Sequence, residues 1–286
     1  MSAPGRLEAL APQDEARQPA AASAASGAAE EGGLPRLAID AAGRATITLA
    51  RPRQHNRLQR DDLLALQAHF EALARPGAAR VLVLAAQGAS FCAGYNLDDL
   101  GRDADSAARD PRLFEHTVER LEALPLPSIA RLHAGLYGGA TDLALACDLR
   151  IGTPAAELRM PAARLGLHFY ASGLRRFVTR LGLGPAKRMF LLGESWSAEL
   201  LLAVGYLDEL VAPDLLDARI DALAAALAAN APLAVHGMKA SLDEIARGEY
   251  EPARLRAREA ACAASADLRE GLAAFAARRT SKFRGA

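Results

Sequence analysis

The chain has 286 residues, with 34 basic and 34 acidic side chains in balance and about half of its residues apolar. Zero net charge argues against nucleic acid or an anionic membrane as the main partner, and the length supports one sizeable core, alone or with a small second domain. Three scattered cysteines (Cys92, Cys147, Cys262) and six histidines show no metal-ligand spacing and no disulfide framework, so no metal site is expected and a reduced, cytoplasmic setting is. No apolar run approaches a membrane span, and the N-terminus lacks the basic start and apolar stretch of a secretory signal.

In chain order, residues 1–34 are rich in Ala, Glu, Gly, Pro and Ser and read as a disordered extension. From Leu37 the pattern changes. Thr46-Ile47-Thr48-Leu49 alternates like a strand, and Arg51-Pro52-Arg53-Gln54-His55-Asn56 breaks it. Leu63, Leu66, Phe70 and Leu73 share one helical face behind Asp61 and Asp62, with Gly77 expected to close the helix. Val81-Leu82-Val83-Leu84 reads as a buried strand turned by Gly88. A polar stretch over 101–110 is expected to be mobile. A helix carrying Leu113, Phe114, Val118 and Leu121 follows and ends at Pro125 and Pro127. Ser128–Leu132 and Leu149–Ile151 read as further strands. The strand, strand, helix order recurs about every forty-five residues, which suggests stacked ββα turns. After Arg164 the chain becomes mostly helical. Ser197 is a candidate N-cap, Asn230 with Pro232 opens a helix, and one last long helix carries Leu255, Leu268, Leu272 and Phe275.

Two segments stand out. Phe91-Cys92-Ala93-Gly94-Tyr95-Asn96-Leu97 and the run from Gly138-Gly139 to Cys147-Asp148 each follow an apolar run and lead into a helical pattern. Each sets backbone N–H groups at a junction where a helix cannot satisfy them. Two such junctions facing each other can hold a developing oxyanion, as acyl chemistry requires. The glycine pairs Gly182-Leu183-Gly184 and the surroundings of Ser172 match neither a dinucleotide fingerprint nor a nucleophile elbow.

These segments, together with Arg51-Pro52 and Asn56, Leu124–Ala130, Pro161–Gly166, Ala229–Ala234 and the Ser265, Asp267, Glu270-Gly271, Phe275 and Phe283 set, resemble the crotonase (enoyl-CoA hydratase/isomerase) superfamily from about Leu37 to the C-terminus. The resemblance implies an α/β spiral of ββα turns over 35–212, a C-terminal helical trimerisation region over 213–286, and a homotrimer or dimer of trimers. It also implies a site for an acyl-CoA, with coenzyme A present only as part of the thioester substrate. By position, the Ala93 and Gly139 amides would form the oxyanion hole, with Gly94 and Gly138 giving the ligand close approach. Arg53, Asn56 and Arg57 would meet the adenine end of CoA, and Lys282 and Phe283 would reach a neighbouring subunit's CoA.

The chain departs from the superfamily's hydratases, which hold a water between two glutamates. At the first position stands Asp142, one methylene shorter. At the second, Pro161 is followed by Ala162, and Ala163 and Arg164 supply no acid either. The paired carboxylates that hydration needs are therefore broken. The loop Leu165–Gly173 also replaces the usual Pro-Gly-rich stretch, which makes His168 and Tyr170 candidates for proton donation or substrate binding. Alternatively, His168, Phe169 and Tyr170 fill the space of the usual glycines, and Asp142 merely stabilises a helix start. Tyr95, Tyr137, Ala162 and Phe169 are candidate acyl-pocket walls. The expected activity is acyl-CoA chemistry through a thioester enolate, with decarboxylation, isomerisation or hydrolysis of an unusual acyl-CoA favoured over simple hydration. The alternative is an acyl-CoA binder without chemistry.

Overall fold

The computed structural model describes residues 32–96, 110 and 112–286. Most of the N-terminal extension, and the 101–110 stretch save residue 110, lie outside the described residues. The backbone is organised by one six-stranded sheet, ordered β1-β2-β3-β4-β6-β9. Its strands are β1 (Arg36–Ile39), β2 (Arg44–Leu49), β3 (Val81–Ala86), β4 (Ser128–Leu132), β6 (Leu149–Gly152) and β9 (Glu209–Leu210). All neighbours run parallel except β1 against β2. Strand side chains alternate between two faces, and here both faces are covered. Ile47, Leu82, Leu84 and Ala130 enter the main core. Val81, Val83, Ile129 and Ile151 meet Leu216, Ile220 and Ala224 of helix α7 (Leu216–Ala228). This double burial is why β3 reads as an unbroken apolar run.

A second, three-stranded sheet stacks short pieces: β5 (Leu136–Tyr137) after β4, β7 (Leu158–Arg159) after β6, and β8 (Ser195–Trp196) further along the chain. After β4 and β5 the chain enters helix α3 (Gly139–Leu145); after β6 and β7 it enters α4 (Ala171–Leu181). This is the ββα spiral that the repeat implies. Helices α1 (Arg60–Leu73) and α2 (Leu113–Glu122) flank it, followed after α4 by α5 (Leu183–Leu192) and α6 (Ala198–Ala203).

Two helix ends differ from expectation. Helix α1 stops at Leu73 with Ala74 still right-handed; Gly77 makes the next turn at φ +76°. The expected last long helix is two helices, α9 (Pro252–Ala264) and α10 (Ala266–Ala276). Ser265 breaks them by adopting ψ 153° and accepting from Leu268 N, an N-cap in the middle of an otherwise helical pattern. Helix α8 (Pro232–Arg247) opens with Pro232, as the sequence indicates. No single helix among the described residues is long and apolar enough to cross a membrane.

Asp148 ties three elements together where α3 hands over to β6. Its Oδ2 accepts from Ser128 N at 2.7 Å, Ser128 Oγ at 2.9 Å and Lys239 Nζ of α8 at 2.7 Å. Removing it would orphan an inward backbone donor and a nearly buried ammonium. Asp148→Ala is expected to lower unfolding stability by about 2–4 kcal/mol in urea titrations.

Candidate active site

The two oxyanion segments meet. Past Gly88 the chain runs beside β5: Phe91 N donates to Gly135 O at 2.9 Å and Tyr137 N to Cys92 O at 3.0 Å. A Cβ placed on Gly94 (φ +89°) would lie 2.5 Å from Tyr137 O and 3.2 Å from Gly139 N. Only glycine permits both that backbone angle and that approach. Gly138, at φ 55° and ψ −127°, makes the sharp entry into α3, and Gly139 is its first helical residue, where amides have no intrahelical acceptor. The Gly138 amide itself is spent on Arg159 O at 2.9 Å.

Ala93 is not the second donor. Its N–H donates to His55 O at 2.8 Å, because Cys92 faces β5 and the next amide must point to the opposite edge. On that edge Leu58 bridges Tyr95: Leu58 N donates to Gly94 O and Asn96 N to Leu58 O, both at 2.8 Å. In such a parallel bridge the N–H and C=O of Tyr95 are turned the other way, towards the side of β5 and Gly139.

Beneath Gly139, one turn into α3, lies Asp142, fully buried. Its Oδ2 accepts from Arg176 Nη1 at 2.6 Å and from Tyr170 OH at 2.5 Å. Its Oδ1 is buried with no hydrogen-bond partner. Arg176, equally buried, also donates through Nε to Glu122 at 2.9 Å and through Nη2 at 3.1 Å. Burial works against the Arg176 charge, but Asp142 and Glu122 outweigh it and raise its affinity for the proton. Burial pushes Glu122 upward, yet the bond and charge of Arg176, with Arg180 and Arg175, bring it below the usual glutamate range. Burial first, then the Asp142 charge and hydrogen bond, push Tyr170 well above the usual 10. The acid of the hydratase position is thus ion-paired and capped by a protonated phenol.

Sequence reasoning missed Arg176 and Glu122. The available signal was an arginine on the face of α4 that buries Gly173, Phe177 and Leu181; an inward arginine demands a buried acid. Phe114 of α2 was read only as a core residue. Its ring lies on Gly139, where an added Cβ would come 2.6 Å from Cζ. The ring centroid is 5.8 Å from that of Tyr95 and 6.1 Å from that of Tyr170.

The remaining candidates divide. Phe169 stacks on Tyr170 at 4.3 Å, beside Asp142, and Ala162 is buried in the core cluster. Tyr137 folds back on Gly135, its hydroxyl 2.4 Å from where a Cβ would be. Burial, then the charge of Glu157, pushes the pKa of its hydroxyl above the usual 10 and so suppresses its ionisation. His168 is not brought to the acid: its side chain is exposed and Nδ1 pairs with Phe169 O at 2.8 Å.

The Asn56 side chain clips its loop together. Buried at φ 53°, it accepts from Arg51 N at 2.9 Å and donates to Gln87 O at 2.7 Å and Ser90 O at 3.0 Å. Both of its N–H donors are spent on backbone carbonyls. Arg53 is exposed on the same loop, and Arg57 is half-buried with Nε lacking a partner, so two cations do border it. Phe283 packs beside Gly271 of α10, and Lys282 is exposed, its N–H donating to Glu270 at 2.8 Å.

The family model for enoyl-CoA hydratase/isomerase matches residues 40–286. The chain belongs to that family, the crotonase superfamily. It is 34% identical over 242 residues to a Mycobacterium tuberculosis protein named a probable enoyl-CoA hydratase, echA6, covering 84% of this chain and 96% of that one. It is 29% identical over 242 residues to 2,3-dehydroadipyl-CoA hydratase of Escherichia coli, covering 84% and 94%. Its fold superposes on the crystal structure of enoyl-CoA hydratase from Bacillus anthracis with a TM-score of 0.80 at 28% identity, covering 87% of this chain and 99% of that one. As in its relatives, this crotonase-fold chain is read as an enzyme of the family.

Because the Asn56 side chain secures the loop on three backbone groups, Asn56→Ala is expected to cost about 2–3 kcal/mol of stability. The loss should appear in chemical denaturation and be independent of added coenzyme A.

Proposed function

We propose that this enoyl-CoA hydratase/isomerase family enzyme acts on an acyl-CoA through a thioester enolate, and that its reaction is not the hydration of a simple enoyl-CoA. The reading is carried by the Arg176–Asp142 ion pair at 2.6 Å. A hydratase needs two carboxylates free to hold and split a water. Here one is tied to Arg176 and Tyr170, and the other position is Ala162.

The oxyanion hole is assigned to the amides of Gly139 and Tyr95, in place of Ala93. Supporting this are the Gly94–Gly139 contact and the direction set by the Leu58 bridge. A donor aimed at the thioester oxygen as it gains charge lowers the barrier by about 3 kcal/mol. The exposed Arg53 and half-buried Arg57 suit the phosphates of coenzyme A.

Decarboxylation fits this site. In a 2-carboxyacyl thioester the C–C bonding pair flows into the thioester carbonyl as carbon dioxide leaves, which gives the enolate without any base. The α-carbon then needs one proton. Tyr170, whose O–H is donated to Asp142, lines that end of the substrate, and a solvent acid supplies the proton. Isomerisation or hydrolysis of an unusual acyl-CoA would use the same hole. The second reading is a binder that has lost chemistry, favoured by the same neutralised acid.

Methylmalonyl-CoA and crotonyl-CoA assayed in deuterated buffer with mass detection separate these. The expected result is propionyl-CoA with one deuterium at C2, slow hydration of crotonyl-CoA, and a severalfold lower kcat in Tyr170→Phe, which loosens Asp142. Fast crotonyl-CoA hydration, lost in Asp142→Ala, would refute the reading. Tight thioester binding with no turnover of either would favour the binder.

The C-terminal helices are assigned to self-association as a homotrimer or a dimer of trimers. Helices α8 and α9 bury no residue within the chain. Met238, Leu242, Ile245, Leu272 and Phe275 are exposed, Phe275 to 87%, an apolar surface too large for an isolated chain to leave wet. Sedimentation equilibrium should give three or six times the 30.1 kDa chain mass, and Leu272→Glu with Phe275→Glu should give the monomer.

A further inference from the structure

We propose that Phe114 determines the acyl specificity of this site, admitting short, flat acyl groups and turning away long flexible chains. The inference rests on the acyl-CoA reading above and adds the substrate class.

Three observations carry it. First, the ring of Phe114 touches the Cα of Gly139: a Cβ there would lie 2.6, 2.9 and 3.2 Å from three of its ring carbons. A thioester oxygen received by the Gly139 amide therefore delivers the first acyl carbons directly against this ring. Second, Phe114 is the middle of an aromatic row. Tyr95 is tilted 52° to it and Tyr170 54°; beyond Tyr170 come Phe169, Phe190 and Phe177. Six of the chain's fourteen aromatic side chains (eight Phe, five Tyr, one Trp) gather in this one row. Tilted rings on two sides receive a planar conjugated or aryl group edge to face, while a saturated chain gains no such contact.

Third, the wall is held on both flanks. On one side Gln67 Nε2 of α1 donates to Thr117 Oγ1 at 2.9 Å, and Leu113, Val118 and Leu121 are buried. On the other, Ser172 Oγ of α4 donates to Glu115 at 3.0 Å. Helix α2 therefore has no room to step back, and a long chain would have to displace Phe114 itself.

The test is calorimetric titration of the full-length protein with crotonyl-CoA, benzoyl-CoA and trans-2-decenoyl-CoA, and with coenzyme A as the acyl-free reference. Phe114→Ala and the more conservative Phe114→Leu are compared, their folding checked by thermal melting. The native protein should bind the two short ligands about tenfold or more tighter than decenoyl-CoA. Phe114→Ala should tighten decenoyl-CoA about tenfold and weaken benzoyl-CoA severalfold, with Phe114→Leu between. Equal affinity of the native protein for all three, or an equal loss for all three in both variants, would overturn the proposal while leaving the acyl-CoA reading intact. Failure of coenzyme A and every thioester to bind would overturn both.

Discussion

The site depends on one close approach of two backbones. Gly94 and the Tyr137–Gly139 turn come so near that a single methyl group on Gly94 would overlap the Tyr137 carbonyl. That contact exists because the spiral sends successive turns into the same small sheet. Cys92 pairs with Leu136, and the pairing carries the next residues past the start of α3. The angles at Gly94 and Gly138, both left-handed in φ, let each chain turn away immediately afterwards. The core pins the strands, the strands place the turn, and the turn aims the amides.

The second determinant is electrostatic. A fully buried ion pair contributes little net stability compared with apolar packing, but breaking one is costly. The Asp142–Arg176–Glu122 chain, with Tyr170 at one end, therefore acts mainly on geometry. It fixes one face of the site in a single arrangement. Proteins named as hydratases are related to this chain in sequence and fold.

Much of this was legible in the sequence. The alternation of β2, the unbroken apolar run of β3 and the recurrence of strand, strand, helix led to the spiral, because those patterns arise from burial of strand faces. Gly94 was legible because a tight turn and a close backbone approach require a residue without a Cβ. The Ala93 assignment failed because strand parity depends on which edge pairs, and His55 lies 38 positions earlier in a loop whose path the sequence does not reveal. Arg176 escaped because its partners lie 34 and 54 positions away. The clip made by Asn56 was hidden for a related reason: two of its three bonds reach backbone groups 31 and 34 positions away.

The shorter acid at 142 has a consequence for any attempt to convert this chain into a hydratase. Restoring glutamates at 142 and 162 would not simply rebuild the ancestral-looking pair. The longer side chain at 142 would push against a guanidinium already clasped by Glu122, and a new anion at 162 would enter an apolar pocket with no countercharge of its own. The interior charges are arranged around Arg176, so a change at 142 has to be matched by one in α4.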